Sequence, residues 1–532
     1  MQAPTRRILW VDDEVELFKP HLLFLRQRGY QVDTATNGDD ALEMVRRQPY
    51  DLVFLDEQMP GRRGLDVLVE LRRAEPHARI VMVTKSEEDG TLVEAIGRQV
   101  DDYLVKPASP RQVVSVATRL LEGAQLQQQQ VAQDFAARFG ALTRLRAEAE
   151  DWRDYFALYD ELVDWDLRLT EAGETGLVDS VTALIADVRR GFGEMVRREY
   201  ADWTAAVAGE ARGRYARDGA RPPLSVDVVE RYIGPRVGRG PLLFVIIDCL
   251  RLDQWRMLRP LLAGDFEVTE ELYCSILPTA TPYARNALFS GRFPDEIASE
   301  RPGWWGTEEG SLNAFEDELF RAQLRRLTGR SVPVHYEKVF TEADADELVA
   351  RVRGALKGDT VVALVFNFID LLTHSRSESA ILMEVARDVP ALRALTRQWF
   401  ERSAAFRILR DAAERGVTAV VTTDHGSILC QRPVTVFAKR DATTNLRYKF
   451  GADLRAEDPS AVFGVNDERV LRFPRGRLAT NYLLALDDHF FVYPTKLREY
   501  QARYRGSFLH GGVSPEEMIL PVSVLTPRRE SP

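Results

Sequence analysis

The chain has 532 residues, 45 % hydrophobic and 29 % charged, with a formal net charge of −10. This is globular composition and excludes a disordered chain; at about 100–200 residues per domain it predicts three or four domains. The acidic balance argues against a dedicated DNA-binding protein. No apolar run approaches the ~20 residues of a membrane helix.

The N-terminal MQAPTRRILWVDDE lacks the apolar core of a signal peptide. Cys249, Cys274 and Cys430 lie far apart, with no CxxC spacing. That predicts no disulfide framework and a reducing cytosol, hence a cytoplasmic protein.

From residue 5 to 121, short apolar runs alternate with amphipathic helical stretches. The runs RRILWVDD, YQVDTAT, DLVFLD, ARIVMVT and DDYLVK read as five strands of a doubly wound parallel sheet. Residues 1–123 are taken as this first α/β domain. Residues 124–236 carry a glutamine run and long helical patterns without a strand. There Trp152, Tyr155, Phe156, Tyr159, Leu162, Val163 and Trp165 recur at helical spacing, which predicts an all-α bundle or linker burying its aromatics. After the Pro/Gly stretch GPRVGRGP (234–241), residues 237–532 form a second α/β domain. Its buried-strand runs PLLFVIID, VVALVFNFID and AVVTTDHG each lead into an acidic residue.

Two constellations carry chemistry. In the first domain, Asp12 and Asp13 follow the first strand, Asp56 ends the third, Thr84 the fourth and Lys106 the fifth. Strand ends converge on one crevice in such a sheet. Three carboxylates together call for a hard cation such as Mg²⁺, and a carboxylate beside it can accept a phosphoryl group while a lysine neutralises the phosphoryl oxygens.

In the last domain, Asp248 ends a strand, DLLTH supplies Asp370 and His374, TTDHGS supplies Asp424 and His425, and FLHGG supplies His510. Asp and His are nitrogen and oxygen ligands suited to zinc. Six ligands allow three per ion with a position left open, and two ions about 4 Å apart can activate a nucleophile and stabilise a leaving oxygen at phosphorus. In TATPYARNALFSG, Thr281 stands at a helix N-terminus with proline at the first helical position, a favourable place for a nucleophile and an anion. Thr279 is the competing nucleophile. Arg285, one turn beyond Thr281, with Asn286, Asn445, Arg447 and Lys449, are candidate phosphate or base contacts; Trp304 and Trp305 are candidates to stack a base. His21, His77, His335 and His489 read as structural or surface residues.

The first set, with all its marker positions, resembles the receiver domain of bacterial response regulators. The resemblance implies that Asp56 is the phosphoacceptor, that Asp12, Asp13 and Asp56 bind Mg²⁺, that Thr84 and Tyr103 form the switch pair, and that Lys106–Pro107 is cis. The order Asp, Thr, DxxxH, DH, HGG resembles the nucleotide pyrophosphatase/phosphodiesterase branch of the alkaline phosphatase superfamily. It implies one zinc held by Asp248, Asp424 and His425 with nucleophile Thr281, and another held by Asp370, His374 and His510.

Receiver, helical middle and PglZ-type domain, in this order, resemble the PorX response regulators, including the blocks ILPTATPYARNALFSG and NLRYKFG. That resemblance implies a cytoplasmic regulator phosphorylated by a sensor histidine kinase. It further implies dimerisation on phosphorylation, zinc-dependent hydrolysis of linear and cyclic oligonucleotides, control of type IX secretion and gliding, and contact with a sigma factor. No membrane or sequence-specific duplex DNA partner is expected. Three alternatives stay open: a phosphorylation-dependent scaffold or nucleotide sensor that binds a sigma factor without turnover, a transcription factor, and an enzyme acting on a sulfate ester or phosphomonoester.

Overall fold

A computed structural model describes residues 6–74, 78–84, 100–207, 220–304, 313–341, 345–376, 380–438, 445–473 and 481–528. His77 and Trp305 lie outside the described residues. The chain divides into two compact units, 1–137 with 172–174, and 138–171 with 175–532.

In the first unit, β1 (Arg7–Val11), β2 (Gln31–Ala35), β3 (Leu52–Asp56), β4 (Arg79–Thr84) and β5 (Asp102–Val105) form a parallel sheet in the order β2-β1-β3-β4-β5. The central strand β3 is buried along its whole length, as its unbroken LVFLD predicts. Helices α1 (Lys19–Gln27), α2 (Gly38–Arg47) and α3 (Gly64–Ala74) supply the crossovers. Asn37 caps α2 by accepting from the Asp40 amide at 2.9 Å; acids fill the first turn and arginines the last, matching the helix dipole.

Three long helices follow: α4 (Pro110–Glu148), α5 (Trp152–Ala172) and α6 (Thr175–Val207). The unit boundary falls within α4, between Ala137 and Arg138. The aromatics Tyr155, Phe156, Tyr159 and Trp165 of α5 are buried, as are Phe192, Tyr200 and Trp203 of α6.

The second unit is built on a six-stranded mixed sheet. Its strands are β6 (Leu242–Ile247), β7 (Phe266–Cys274), β8 (Val334–Val339), β9 (Val361–Phe366), β10 (Thr418–Thr422) and β11 (Ile519–Pro527), in the order β7-β11-β10-β6-β9-β8. The four strands from β10 to β8 are parallel; β11 and β7 add antiparallel pairs at one side. Alternate residues of β6 enter separate cores: Leu243, Val245 and Ile247 pack with Trp255 and Phe400, while Leu242, Phe244 and Ile246 pack with Phe289 and Phe320. Both faces are covered, so β6 reads as a continuous apolar run. Val228, Val229, Tyr232 and Ile233 join the second of these cores ahead of the Pro/Gly stretch. The helices that matter for the site are α7 (Leu252–Leu258), α8 (Thr281–Ser290), α9 (Phe368–Arg376) and α10 (Val389–Arg402). No described helix is long and apolar enough to cross a membrane.

Candidate metal centres and active site

In the first unit, one ligand atom from each of Asp12, Asp13 and Asp56 lies within 4.8 Å of the others. Parallel pairing of β1 with β3 sets Val11 beside Leu55, which brings the acids beyond each strand end together. Asp12 and Asp56 are buried and Asp13 is exposed. Lys106 Nζ reaches Asp12 Oδ2 at 2.8 Å and Asp56 Oδ2 at 3.0 Å. Asp56 Oδ1 is buried without a hydrogen-bond partner, the mark of a donor atom shaped for a cation. Burial pushes the Asp56 carboxyl up, against the pull of Lys106. Thr84 is buried, Tyr103 is 56 % exposed, and Lys106–Pro107 is cis.

In the second unit, β10, β6 and β9 are neighbours, so their carboxyl ends lie side by side. Asp248 follows β6, Asp424 and His425 follow β10, and Asp370 with His374 lies on α9, which follows β9. His510 comes from far along the chain. A short antiparallel pairing of Ile428–Cys430 with Ser507–Leu509 sets Ile428 opposite Leu509 and brings the HGG loop onto the DHG loop. The rings of His425 and His510 stack with centroids 4.3 Å apart.

Two triads result. Ligand atoms of Asp248, Asp424 and His425 lie within 4.8 Å of one another, as do those of Asp370, His374 and His510. His425 Nε2 is 3.6 Å from Asp248 Oδ1 and 3.8 Å from Asp424 Oδ2. His510 Nε2 is 3.0 Å from His374 Nε2 and 3.5 Å from Asp370 Oδ1. Asp248 Oδ1, Asp424 Oδ2 and Asp370 Oδ1 are all buried without hydrogen-bond partners. Three orphaned carboxylate oxygens facing imidazole nitrogens fit metal ions, and the mixed oxygen and nitrogen donors fit zinc.

The far sides of the imidazoles support this. His425 Nδ1 donates to Gly426 O at 3.1 Å and His510 Nδ1 to Thr279 O at 3.2 Å, which leaves each Nε2 lone pair toward the cluster. Burial and the neighbouring His425 hold His510 well below the usual imidazole value, so its ring stays neutral. Burial, with Asp424 adding to it, pushes the Asp248 carboxyl well above the carboxylate range.

Thr281 begins α8, with Pro282 at the second helical position, one later than the sequence suggested. Its Oγ1 lies 3.0 Å from His425 Nε2. The competing Thr279 is fully buried; its hydroxyl donates to Gly512 O at 2.8 Å and accepts from the Gly511 amide at 3.0 Å, so it ties down the HGG loop. The His374 side chain is 57 % exposed, whereas the other five residues of the two triads are buried or nearly so; the cluster opens on the α9 side.

Two glycines are needed here. A Cβ on Gly426 would fall 2.0 Å from the backbone oxygen of Glu516, and Gly511 has φ +116°, where a side chain is strained.

The expected substrate contacts are placed differently. Arg285 is 1 % exposed; its guanidinium donates to Asp248 Oδ2 at 2.6 Å and to Glu316 Oε1 at 2.7 Å. It backs the Asp248/Asp424/His425 triad, with a carboxylate on either side of it. Lys449 is 1 % exposed with Nζ over the Tyr493 ring at 4.8 Å, and Arg447 is buried against Glu517. Asn286 is 1 % exposed and donates to Pro282 O within its own helix. Asn445 accepts from the Arg447 and Tyr448 amides and lies beside Gly511, next to the triad histidine. Trp304 stacks on Phe315. Glu316, which positions Arg285 and also pairs with Lys338 at 2.9 Å, carries no motif in the sequence.

Known proteins match the same segments. Residues 228–525, more than half of the chain, match the family described as the BREX system PglZ alkaline phosphatase-like domain. Residues 8–118 match the response regulator receiver domain and residues 125–204 the PorX response regulator linker domain. The alginate biosynthesis transcriptional regulatory protein AlgB of Pseudomonas aeruginosa is 41 % identical over 120 residues, covering 23 % of this chain and 27 % of AlgB. The transcriptional regulatory protein ResD of Bacillus subtilis is 38 % identical over 125 residues, covering 23 % of this chain and 51 % of ResD. The chain thus spans between about a quarter and a half of the length of these relatives. Among solved structures, the response regulator TrrA of Thermotoga maritima, in complex with Mg²⁺ and BeF, is 34 % identical, covers 22 % of this chain and all of its own, and has a TM-score of 0.21.

Proposed function

This chain belongs to the PglZ family of alkaline phosphatase-like proteins and has the receiver, linker and PglZ order of the PorX-type response regulators, and from that premise we propose that it is a phosphorylation-controlled, zinc-dependent phosphodiesterase. The observation that carries this is the pair of triads, with three orphaned carboxylate oxygens, gathered beside the Thr281 hydroxyl.

Asp248, Asp424 and His425 would hold one zinc with Thr281, and Asp370, His374 and His510 the other. Bound zinc would supply Lewis acidity and a lowered pKa for a coordinated hydroxyl. Thr281 Oγ1 attacks the phosphorus as its proton leaves to solvent. The new P–O bond forms as the bond to the leaving ester oxygen breaks, and that oxygen departs protonated. Water then attacks the phosphorus of the threonine-linked diester, which still carries the other ester group; the bond to Oγ1 breaks, Oγ1 takes up a proton, and a phosphomonoester leaves. The backbone acceptors on His425 and His510 keep both rings aimed, and Arg285 holds the Asp248 carboxyl in its orientation.

The substrate class is a linear or cyclic oligonucleotide. The receiver takes phosphate from a sensor histidine kinase onto Asp56, with Mg²⁺ held by Asp12, Asp13 and Asp56. On phosphorylation the chain dimerises in the cytoplasm, acts on type IX secretion and gliding, and contacts a sigma factor. The test is turnover of bis-p-nitrophenyl phosphate by zinc-loaded full chain beside Thr281→Val. A wild-type rate indistinguishable from the variant's would refute the enzyme.

A further inference from the structure

The DHG and HGG loops are held from behind by one short segment. The backbone oxygen of Glu517 accepts from the Gly426 amide at 3.1 Å, while its side chain accepts from the Gly512 amide at 2.8 Å and from Ser514 Oγ at 2.7 Å. Glu516 presses on Gly426, which has no room there for a Cβ. Residues 516–517 therefore clasp the turns that carry His425 and His510.

That clasp is in turn gripped from the helical segment. Arg189 on α6 donates to Glu516 through Nε at 3.1 Å and Nη2 at 2.7 Å, and through Nη1 to Asp487 at 3.2 Å. The side chain of Arg189 is 16 % exposed, those of Glu516 and Asp487 4 % and 6 %. A planar, two-point guanidinium grip of this kind fixes orientation as well as distance.

A second chain of charges arrives from α5. Asp166 pairs with Arg393 of α10, whose Nε donates to Asp253 Oδ2 at 2.7 Å. Asp253 accepts from Arg251 Nε at 2.8 Å, and Arg251 Nη1 donates to Ser427 O at 3.0 Å. Arg251 is three residues after Asp248, and Ser427 two after His425. This one guanidinium thus spans both loops of the Asp248/Asp424/His425 triad.

We infer that Arg189 and Asp166 are positioning residues: through these two ion chains, partly exposed at their helical ends and buried toward the loops, the helical segment sets the spacing of the metal-ligand loops. Surface ion pairs would contribute little and tolerate drift. Buried, multiply bonded ones hold one geometry and leave an uncompensated charge when a partner is lost. A shift of α5 or α6 by a fraction of an ångström therefore reaches His425 without any contact to substrate. The inference rests on reading the two triads as metal sites.

The test is cobalt(II) titration of the metal-stripped full chain, read by the visible absorbance of the bound ion, with folding checked by circular dichroism. Arg189→Met is expected to weaken cobalt binding about three- to tenfold and to change the band shape, since partners beyond the ligands commonly modulate affinity by an order of magnitude or more. Asp166→Asn is expected to act in the same direction, and Arg189→Lys to restore part of the affinity. Arg407→Met, in an exposed pair with Asp346, is expected to match wild type. Wild-type affinity and spectrum in both Arg189→Met and Asp166→Asn would overturn the inference while leaving the metal reading intact. No cobalt uptake by wild type would overturn both. If Arg189→Met does not fold, Asp166→Asn decides by the same criteria.

Discussion

Arg285 Nη1 lies 2.6 Å from Asp248 Oδ2, with both side chains 1 % exposed. A carboxylate that would bind a metal through one oxygen is held by a guanidinium through the other. The cluster contains its own cation, which pulls the Asp248 carboxyl down against the larger upward push of burial and Asp424. Arg285→Met leaves Glu316 and Asp248 without their shared partner. It is expected to destabilise the metal-free protein by about 3–5 kcal/mol. Added zinc should recover more of the melting temperature in the variant than in wild type, as seen by calorimetry with and without metal.

Thr281→Val is expected to reduce diester hydrolysis by about 10³-fold or more while both metals stay bound. Thr281→Ser keeps the hydroxyl and is expected to retain measurable turnover. Rates on bis-p-nitrophenyl phosphate, paired with metal analysis of the same samples, check both statements.

Gly426→Ala places a methyl against the backbone oxygen of Glu516. Backbone cannot rotate away as a side chain can, so the DHG turn must move. The expected cost is about 3 kcal/mol, together with loss of one metal equivalent. Urea unfolding and metal stoichiometry measure the two effects separately.

In the first unit, Asp56→Asn is expected to abolish Mg²⁺-dependent labelling by a small phosphodonor such as acetyl phosphate. The wild-type carboxylate is raised by burial, so the amide is also expected to raise the melting temperature in the absence of Mg²⁺. Intact-mass measurement and thermal melts read these outcomes.

Asp160 on α5 provides a pH prediction away from the two triads. Burial raises its pKa to about 6, against the attraction of Arg256. The folded value lies above the unfolded value of about 3.9. The group's contribution to stability is therefore present below about pH 3.9 and is lost as pH rises through about 6. Asp160→Asn removes that loss. Its melting temperature is expected to exceed that of wild type at pH 8 and to converge with it near pH 4.5.

Much of the fold was legible because periodicity is local. The five N-terminal strand runs appear as the strands of the parallel sheet, and the aromatic spacing in 152–165 appears as the buried face of a helix. The residues that cluster in the two triads were legible for a related reason. A candidate ligand at a strand end needs particular residue types in particular neighbours, such as Asp before His before Gly, and these survive as short words in the sequence.

What the words could not carry is the destination of a side chain whose partners lie hundreds of residues away. Arg285 stands one helical turn past Thr281 and reads as a phosphate contact, yet Glu316 and Asp248 claim it. Glu316, Arg189 and Asp166 belong to no motif, because an ion pair requires only opposite charge at short distance, and distance is set by how the sheet, α5 and α6 pack. Even the choice between Thr279 and Thr281 depends on a contact with Gly512 across the fold. Residue type and spacing determined which groups this protein can use; the tertiary structure decided which of them face one another, since burial turns a long-range pairing into a fixed geometry.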